Sequence, residues 1–266
     1  MGWELFGWSF AVLRRNKRLM LFPLFSTAAA LIALGLCLGG WQVSVPDVVR
    51  QVSPRNFLWL APAWFLTNFL IVFFNCALAA CAQAQFSGEQ PTLRYGLRQA
   101  ASRVAPILGW SLLSATVGLV LNAIERRASW AGKLALWLFG FAWEMATYLV
   151  LPVLIAERRG PIESIRRSAQ LVRETWGDQL VAEIRFGWRG LVFFLPCLIV
   201  GVLGANGYPV LLPVAVAGFI LAMAALSAAR GVFEVALYRY AAGGELPAGW
   251  SPAMLPGIFP PRQLNG

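Results

Sequence analysis

The sequence predicts an all-α polytopic membrane protein: six transmembrane helices and three amphipathic helices on the cytoplasmic membrane surface. Three observations carry that prediction. Hydrophobic residues make up 59% of the 266-residue chain and charged residues only 13%. Soluble domains carry about 25% charged residues, so this chain has too little polar surface to cover itself in water. Uncharged stretches about 20 residues long, enough to cross a bilayer core of about 30 Å, recur along it. Finally, 17 of the 22 Lys and Arg fall on one side of the resulting threading.

The spans follow in order. The first lies near residues 19–40, after a basic stretch ending at Arg18. The run after Arg18 is long enough to remain as a span, and no good signal-peptide cleavage site is expected. The second lies near 57–80, the third near 105–124, and the fourth near 134–156, interrupted only by Glu144. An uncharged run of 40 residues covers 190–229. As one helix it would extend about 60 Å, twice the membrane. It contains the turn signal GANGYP, so it divides into spans near 188–204 and 209–230. The first of these is short, with Arg185 and Arg189 placed to snorkel and Phe186 and Trp188 at the interface.

The lysine and arginine bias puts both termini in the cytoplasm. Three cytoplasmic segments have apolar residues at helical spacing. These are Trp3, Phe6, Phe10 and Leu13; then Leu93, Leu97, Ala100 and Val104; then Ile162, Ile165, Ala169, Val172 and Trp176. Pro161 suits the first position of the third helix, and Glu163 and Arg167 are spaced for an i,i+4 pair. The order helix, span, span recurs three times, which suggests three copies of one unit; the alternative is three connections lying on one membrane surface. Residues 1–242 form one integral-membrane domain, and 243–266 a Gly/Pro-rich cytoplasmic tail.

Composition limits the chemistry. The chain has no histidine, which removes the usual general base, the Ser-His pair and HExxH zinc chemistry. The two aspartates, Asp47 and Asp178, lie outside the spans. Cys37, Cys76, Cys81 and Cys197 form no CxxC pair and read as buried small hydrophobes. No metal, cofactor or enzyme activity is expected. The net charge of +10 reflects basic residues flanking spans, so nucleic acid is not the expected partner.

The polar residues inside the spans are the candidate site. Asn68, Ser114 and Glu144 lie near the midpoints of the second, third and fourth spans. A charged carboxylate at that depth costs about 2.5–3.5 kcal/mol, so Glu144 is expected neutral and donating to Asn68 or Ser114. Two roles are open: interhelical glue, or a coupling residue in a transport path. Arg230 and Glu234 are expected to pair at the cytoplasmic end of the sixth span. GLCLG at 35–39 is a GxxxG match, read as ordinary packing within the chain. The seven arginines of 157–189 suggest a membrane-surface helix that fixes topology, with anionic headgroups as a weaker option, because five acids dilute the field.

Several of these stretches are similar to a known family. GWELFGWSFAVLRRNKRLMLFPLFS, FFNCALAACA, PTLRYGLRQAASRVAPILGWSLLSATVG, TYLVLPVLIAERRGPIESIRRSAQLVRETWGDQL and ALYRYAAGGELPAGW resemble an uncharacterised bacterial six-span integral-membrane family, a domain of unknown function. The resemblance runs from Trp3 to about Trp250 and implies six helices in a bacterial inner membrane but no reaction. Residues 160–177 are more loosely similar to the cytoplasmic helix of other six-span membrane domains. One of those is attached to glycerophosphodiester phosphodiesterases, whose catalytic domain is not matched here. The expected function is that of a non-catalytic structural or accessory membrane component, in contact with membrane lipids and an unknown membrane protein partner. The alternative is a small transporter or permease-like subunit with a polar site around Glu144; a membrane-embedded enzyme is the third option.

Overall fold

The computed structural model describes residues 17–39, 54–176, 196, 200 and 211–243. Every regular element among them is helical. A 3₁₀ turn, Lys17–Met20, leads into α1, Leu21–Gly39. Pro23 sits in the first turn of α1, where amides lack an intrahelical acceptor anyway. α2 is Pro54–Phe86, α3 Leu93–Ala101, α4 Val104–Glu125, α5 Trp130–Thr147 and α6 Val150–Ala156. α7 is Pro161–Trp176 and α8 Leu211–Gly243.

Four stretches among the described residues are long and apolar enough to cross a membrane: Trp64–Phe86, Val104–Glu125, Trp130–Ala156 and Pro213–Gly243. They match the expected second, third, fourth and sixth spans. The expected first span is helical as α1, but only the shorter apolar stretch Leu21–Ala33 counts there. The expected span near 188–204, the amphipathic stretch 3–13 and the tail 243–266 lie, but for positions 196, 200 and 243, outside the described residues.

α2 is the hub. Its segment CALAACA is buried around the whole circumference, with Cys76, Ala77, Leu78, Ala79, Ala80, Cys81 and Ala82 all at 3% exposure or less. Small side chains let backbones approach closely where lipid gives no hydrophobic drive between helices. α1, α3, α4, α6 and α8 all pack on α2. The helix closes with Gly88 at φ 86°, its N–H bonded to Gln85 O at 3.1 Å and Glu89 N–H to Ala84 O at 3.0 Å. That is a Schellman cap, which needs a left-handed residue and so favours glycine.

α3 starts at an N-cap, Thr92, whose hydroxyl accepts from Tyr95 N at 3.2 Å. Leu93, Leu97 and Ala100 face the core as their spacing predicts. Val104 does not: it begins α4 and is 41% exposed. The break has a local cause, since Pro106 has no N–H and its ring crowds the carbonyl four residues back. Gly96 lets α3 lie flat on α2. A Cβ there would stand 2.6 Å from Ala77 O and 2.6 Å from Cys81 Sγ. Gly35 of the GxxxG match has nothing within 4 Å of such a Cβ, so it makes no close packing contact of the expected kind.

The fourth span is two helices rather than one. α5 stops at Thr147 and α6 begins at Val150 because Pro152 cannot donate to Tyr148 O. Tyr148 N tightens onto Met145 O instead, at 3.3 Å. Leu149 N, which a straight helix would bond to Met145 O, donates to the buried Ser168 hydroxyl of α7 at 3.0 Å. Gln83 Nε2 of α2 donates to Pro152 O at 3.2 Å. The break is thus repaired by neighbouring helices, as buried backbone in a membrane requires.

α7 begins at Pro161 as expected, but its buried face is rotated. Ser164, Ser168, Leu171 and Val172 are buried, whereas Ile162 is 58% exposed. Arg167 pairs with Glu157, not Glu163.

Cross-contacts fix the directions. Phe25 of α1 meets Phe74 of α2, and Phe22 lies at the Ala77 and Cys81 level, so the two are antiparallel. Gln83 to Pro152, and Arg239 to Ser87 at 3.2 Å, place the C-terminal ends of α2, α6 and α8 together. Arg103, at the start of α4, reaches Arg158 O at the same end. α2, α5–α6 and α8 therefore run one way, α1 and α4 the other.

Candidate functional site

The expected midplane cluster divides into two. Asn68 and Ser114 meet as the sequence suggests. Asn68 Nδ2 donates to Ser114 Oγ at 3.0 Å and to Ser111 O at 2.9 Å, and Ser114 Oγ donates to Ser111 O at 3.2 Å. Both amide protons of Asn68 are used, joining α2 to α4. Such bonds contribute roughly 0.6–2 kcal/mol in membrane bundles.

Glu144 is not part of that group. Its carboxylate turns to α8, where Oε1 accepts from Arg230 Nη2 at 3.4 Å. Arg230 Nε donates to Glu234 Oε1 at 3.0 Å, one helical turn along. The Arg230 guanidinium also stands 5.9 Å from the Tyr148 ring centroid, within cation–π range. The expected neutral carboxyl donating to Asn68 or Ser114 is therefore corrected to an ion-pair partner of Arg230. The two sites that the sequence kept apart are one cluster: two carboxylates, one guanidinium and one phenol ring.

Its position follows from helix rise. Arg230 lies nine residues before Arg239, about 13 Å at 1.5 Å per residue. Glu144 lies thirteen residues before Glu157, about 20 Å along the broken α5–α6. Both sit well below the arginine-rich end of the bundle, inside two of the membrane-length stretches. Arg230 falls within Pro213–Gly243, a stretch longer than a bilayer core of about 30 Å. The side chains of Glu144 and Arg230 are 61% and 53% exposed, and that of Glu234 is 15% exposed.

A second charged group, which sequence reading missed, closes the arginine-rich end. Glu157 accepts from Arg159 Nε at 2.7 Å, from Arg167 Nε at 3.1 Å and from the Tyr238 hydroxyl at 3.3 Å. Beneath it, Leu149, Val153, Leu171, Val172, Phe233 and Leu237 form a small core that binds α6, α7 and α8. Nothing in the spacing of Glu157 indicates a partner 81 residues away. Its one signal is position: it is the first charge after a long apolar run. Ser168 gave no signal either, since a serine on an amphipathic helix reads as solvated.

Long apolar helices, small-residue packing at α2 and polar groups paired between helices point to a helical membrane protein. Residues 57–248 match the model of a family of unknown function (DUF6159). The chain belongs to that family. It matches no curated protein and no solved structure.

Proposed function

We propose that this is a non-catalytic, six-span structural or accessory component of a bacterial inner membrane, with both termini cytoplasmic. One observation carries the role: several polar side chains within the bundle bridge one helix to another. Asn68 ties α2 to α4, Gln83 ties α2 to α6, Ser168 ties α7 to the α5–α6 break, and Arg230 ties α8 to α5. The six-span threading is supported by direction. α6 and α8 run in parallel, which fits the span that the sequence offers between them near 188–204. The excess of arginine at the α2, α6 and α8 C-terminal end supports its cytoplasmic placement.

A second reading has its own observation. Glu144 and Arg230 are more than half exposed although they lie deep within membrane-length stretches. Ionisable residues at such depth commonly mark ion or substrate paths. Glu144→Gln in proteoliposomes separates the readings. The accessory role predicts unchanged proton permeability and a modest loss of thermal stability. A proton flux present in the wild type and abolished by Glu144→Gln, with folding intact, would establish transport instead.

A further inference from the structure

α8 changes character at Arg230. Before it, Val216, Phe219, Leu221 and Met223 are 47–58% exposed. After it, Val232, Phe233, Val235 and Leu237 are at 3% or less, and no large apolar side chain of α8 is exposed. Apolar side chains turned outward suit lipid; the same side chains turned inward suit water.

The other helices mark the same level. Gly231 faces Leu78 of α2, and α3 crosses α2 at Ala77 and Cys81. Pro161 of α7 packs on Gly109 of α4, Ser168 bonds to Leu149, and Leu171 and Val172 share a core with Phe233 of α8. Trp110, next to Gly109, stacks on Trp143, next to Glu144. Both amphipathic helices thus meet the bundle near the Glu144–Arg230 pair. Each presents charge outward, with Arg94 and Arg98 exposed on α3 and Arg166 and Arg173 on α7.

The Asn68–Ser114 bond gives a reference depth. Leu78 is ten residues along α2 from Asn68, about 15 Å, and Glu125 eleven residues along α4 from Ser114, about 16 Å the other way. Arg230 and Glu125 are therefore about 30 Å apart in depth, the thickness of a hydrocarbon core. Between those levels α2, α4 and α8 carry no charge. Lys133, in the first turn of α5, is placed to snorkel to the far boundary.

We propose that the bilayer hydrocarbon ends at the level of the Glu144–Arg230 pair, and that this pair, with the outward faces of α3 and α7, lies among the phospholipid headgroups. The C-terminal third of α8 then stands above the hydrocarbon. Headgroup depth accounts for two exposed charges without a water path through the bundle, because charges there stay hydrated. The Tyr148 ring beside Arg230 suits the same layer, where aromatic residues gather. The inference rests on the membrane reading above and fixes the surface through which the protein meets lipid.

The test places the wild-type full chain in bilayers doped with a phospholipid that carries an alkyl diazirine either on its headgroup or at the end of its acyl chain. Alkyl diazirines capture carboxylates readily, and mass spectrometry reads the labelled residues. The headgroup probe is expected to label Glu144 about tenfold more than the acyl-end probe does. The acyl-end probe is expected to favour residues 219–223 of α8 by a similar factor. Labelling of Glu144 by the acyl-end probe as strongly as by the headgroup probe would overturn the inference, since the pair would then lie in hydrocarbon. Labelling of Glu144 by neither, with 219–223 still taken by the acyl-end probe, would also overturn it, since the pair would face protein or a water path. Absence of acyl-end labelling over 214–223 would instead remove the membrane reading itself.

Discussion

At Gly96 the absence of one methyl group decides whether α3 can lie on α2. In an open helix Gly→Ala gains about 1 kcal/mol of propensity. Here the new Cβ would meet the fixed Ala77 carbonyl and Cys81 Sγ, and overpacking of this kind costs about 1–3 kcal/mol. Gly96→Ala is therefore expected to lower the unfolding temperature in detergent. Gly231→Ala is expected to act in the same direction, since its Cβ would overlap a terminal methyl of Leu78, which at 1% exposure has little room to rotate. The intramembrane triad makes a second prediction by asymmetry. Glu144→Gln leaves Arg230 paired with Glu234 and costs about 1 kcal/mol or less. Arg230→Gln leaves two carboxylates without their cation and is expected to cost more than Glu144→Gln. Equal losses in unfolding measurements on the two variants would mean that the triad is not the pairing unit. Residues of this kind are only partly legible in a sequence. Arg230 and Glu234 were readable because four residues is one helical turn, whereas the link to Glu144 depends on how α5 rotates against α8, which no local spacing encodes.

The α5–α6 break is the element whose behaviour depends most on its neighbours. Pro152 interrupts the helix, and Ser168 supplies the acceptor that Leu149 N–H loses. Ser168→Ala leaves that amide without its partner and is expected to destabilise the protein by about 1–3 kcal/mol. Pro152→Ala restores a donor and lets the helix continue, so it should recover much of the loss in the double variant. Simple additivity in a double-mutant cycle would show that the hydroxyl does not support the break. The existence of α2, α4, the fourth span and α8 was plain from apolar length, because the bilayer sets that length. The break was not inferred, although Pro152 is visible, since proline in a membrane helix is tolerated wherever neighbours satisfy the freed groups. The rotation of the α7 face has a similar origin. Its apolar periodicity pointed to Ile162 and Ala169, but the contact that matters is a serine hydroxyl, which a count of apolar positions ignores.

At the scale of the molecule, the bundle is organised by α2 rather than by a soluble core. Small residues over 76–82 bring five helices around one axis, and arginines gather at the end where α2, α6 and α8 finish. Composition points to a lipid solvent and the positive-inside count to a direction, because both are sums over many residues and tolerate local error. The partner of each polar group was hidden, because each is a single contact. The account's central claim is the threading, with the 87–92 and 157–160 turns on one side and the 126–129 turn on the other. The most direct measurement is reporter fusion or single-cysteine labelling at positions 88, 128 and 159 of the chain in intact membranes. The account predicts that 88 and 159 respond as cytoplasmic and 128 as external. The same compartment for 128 and 159 would contradict it.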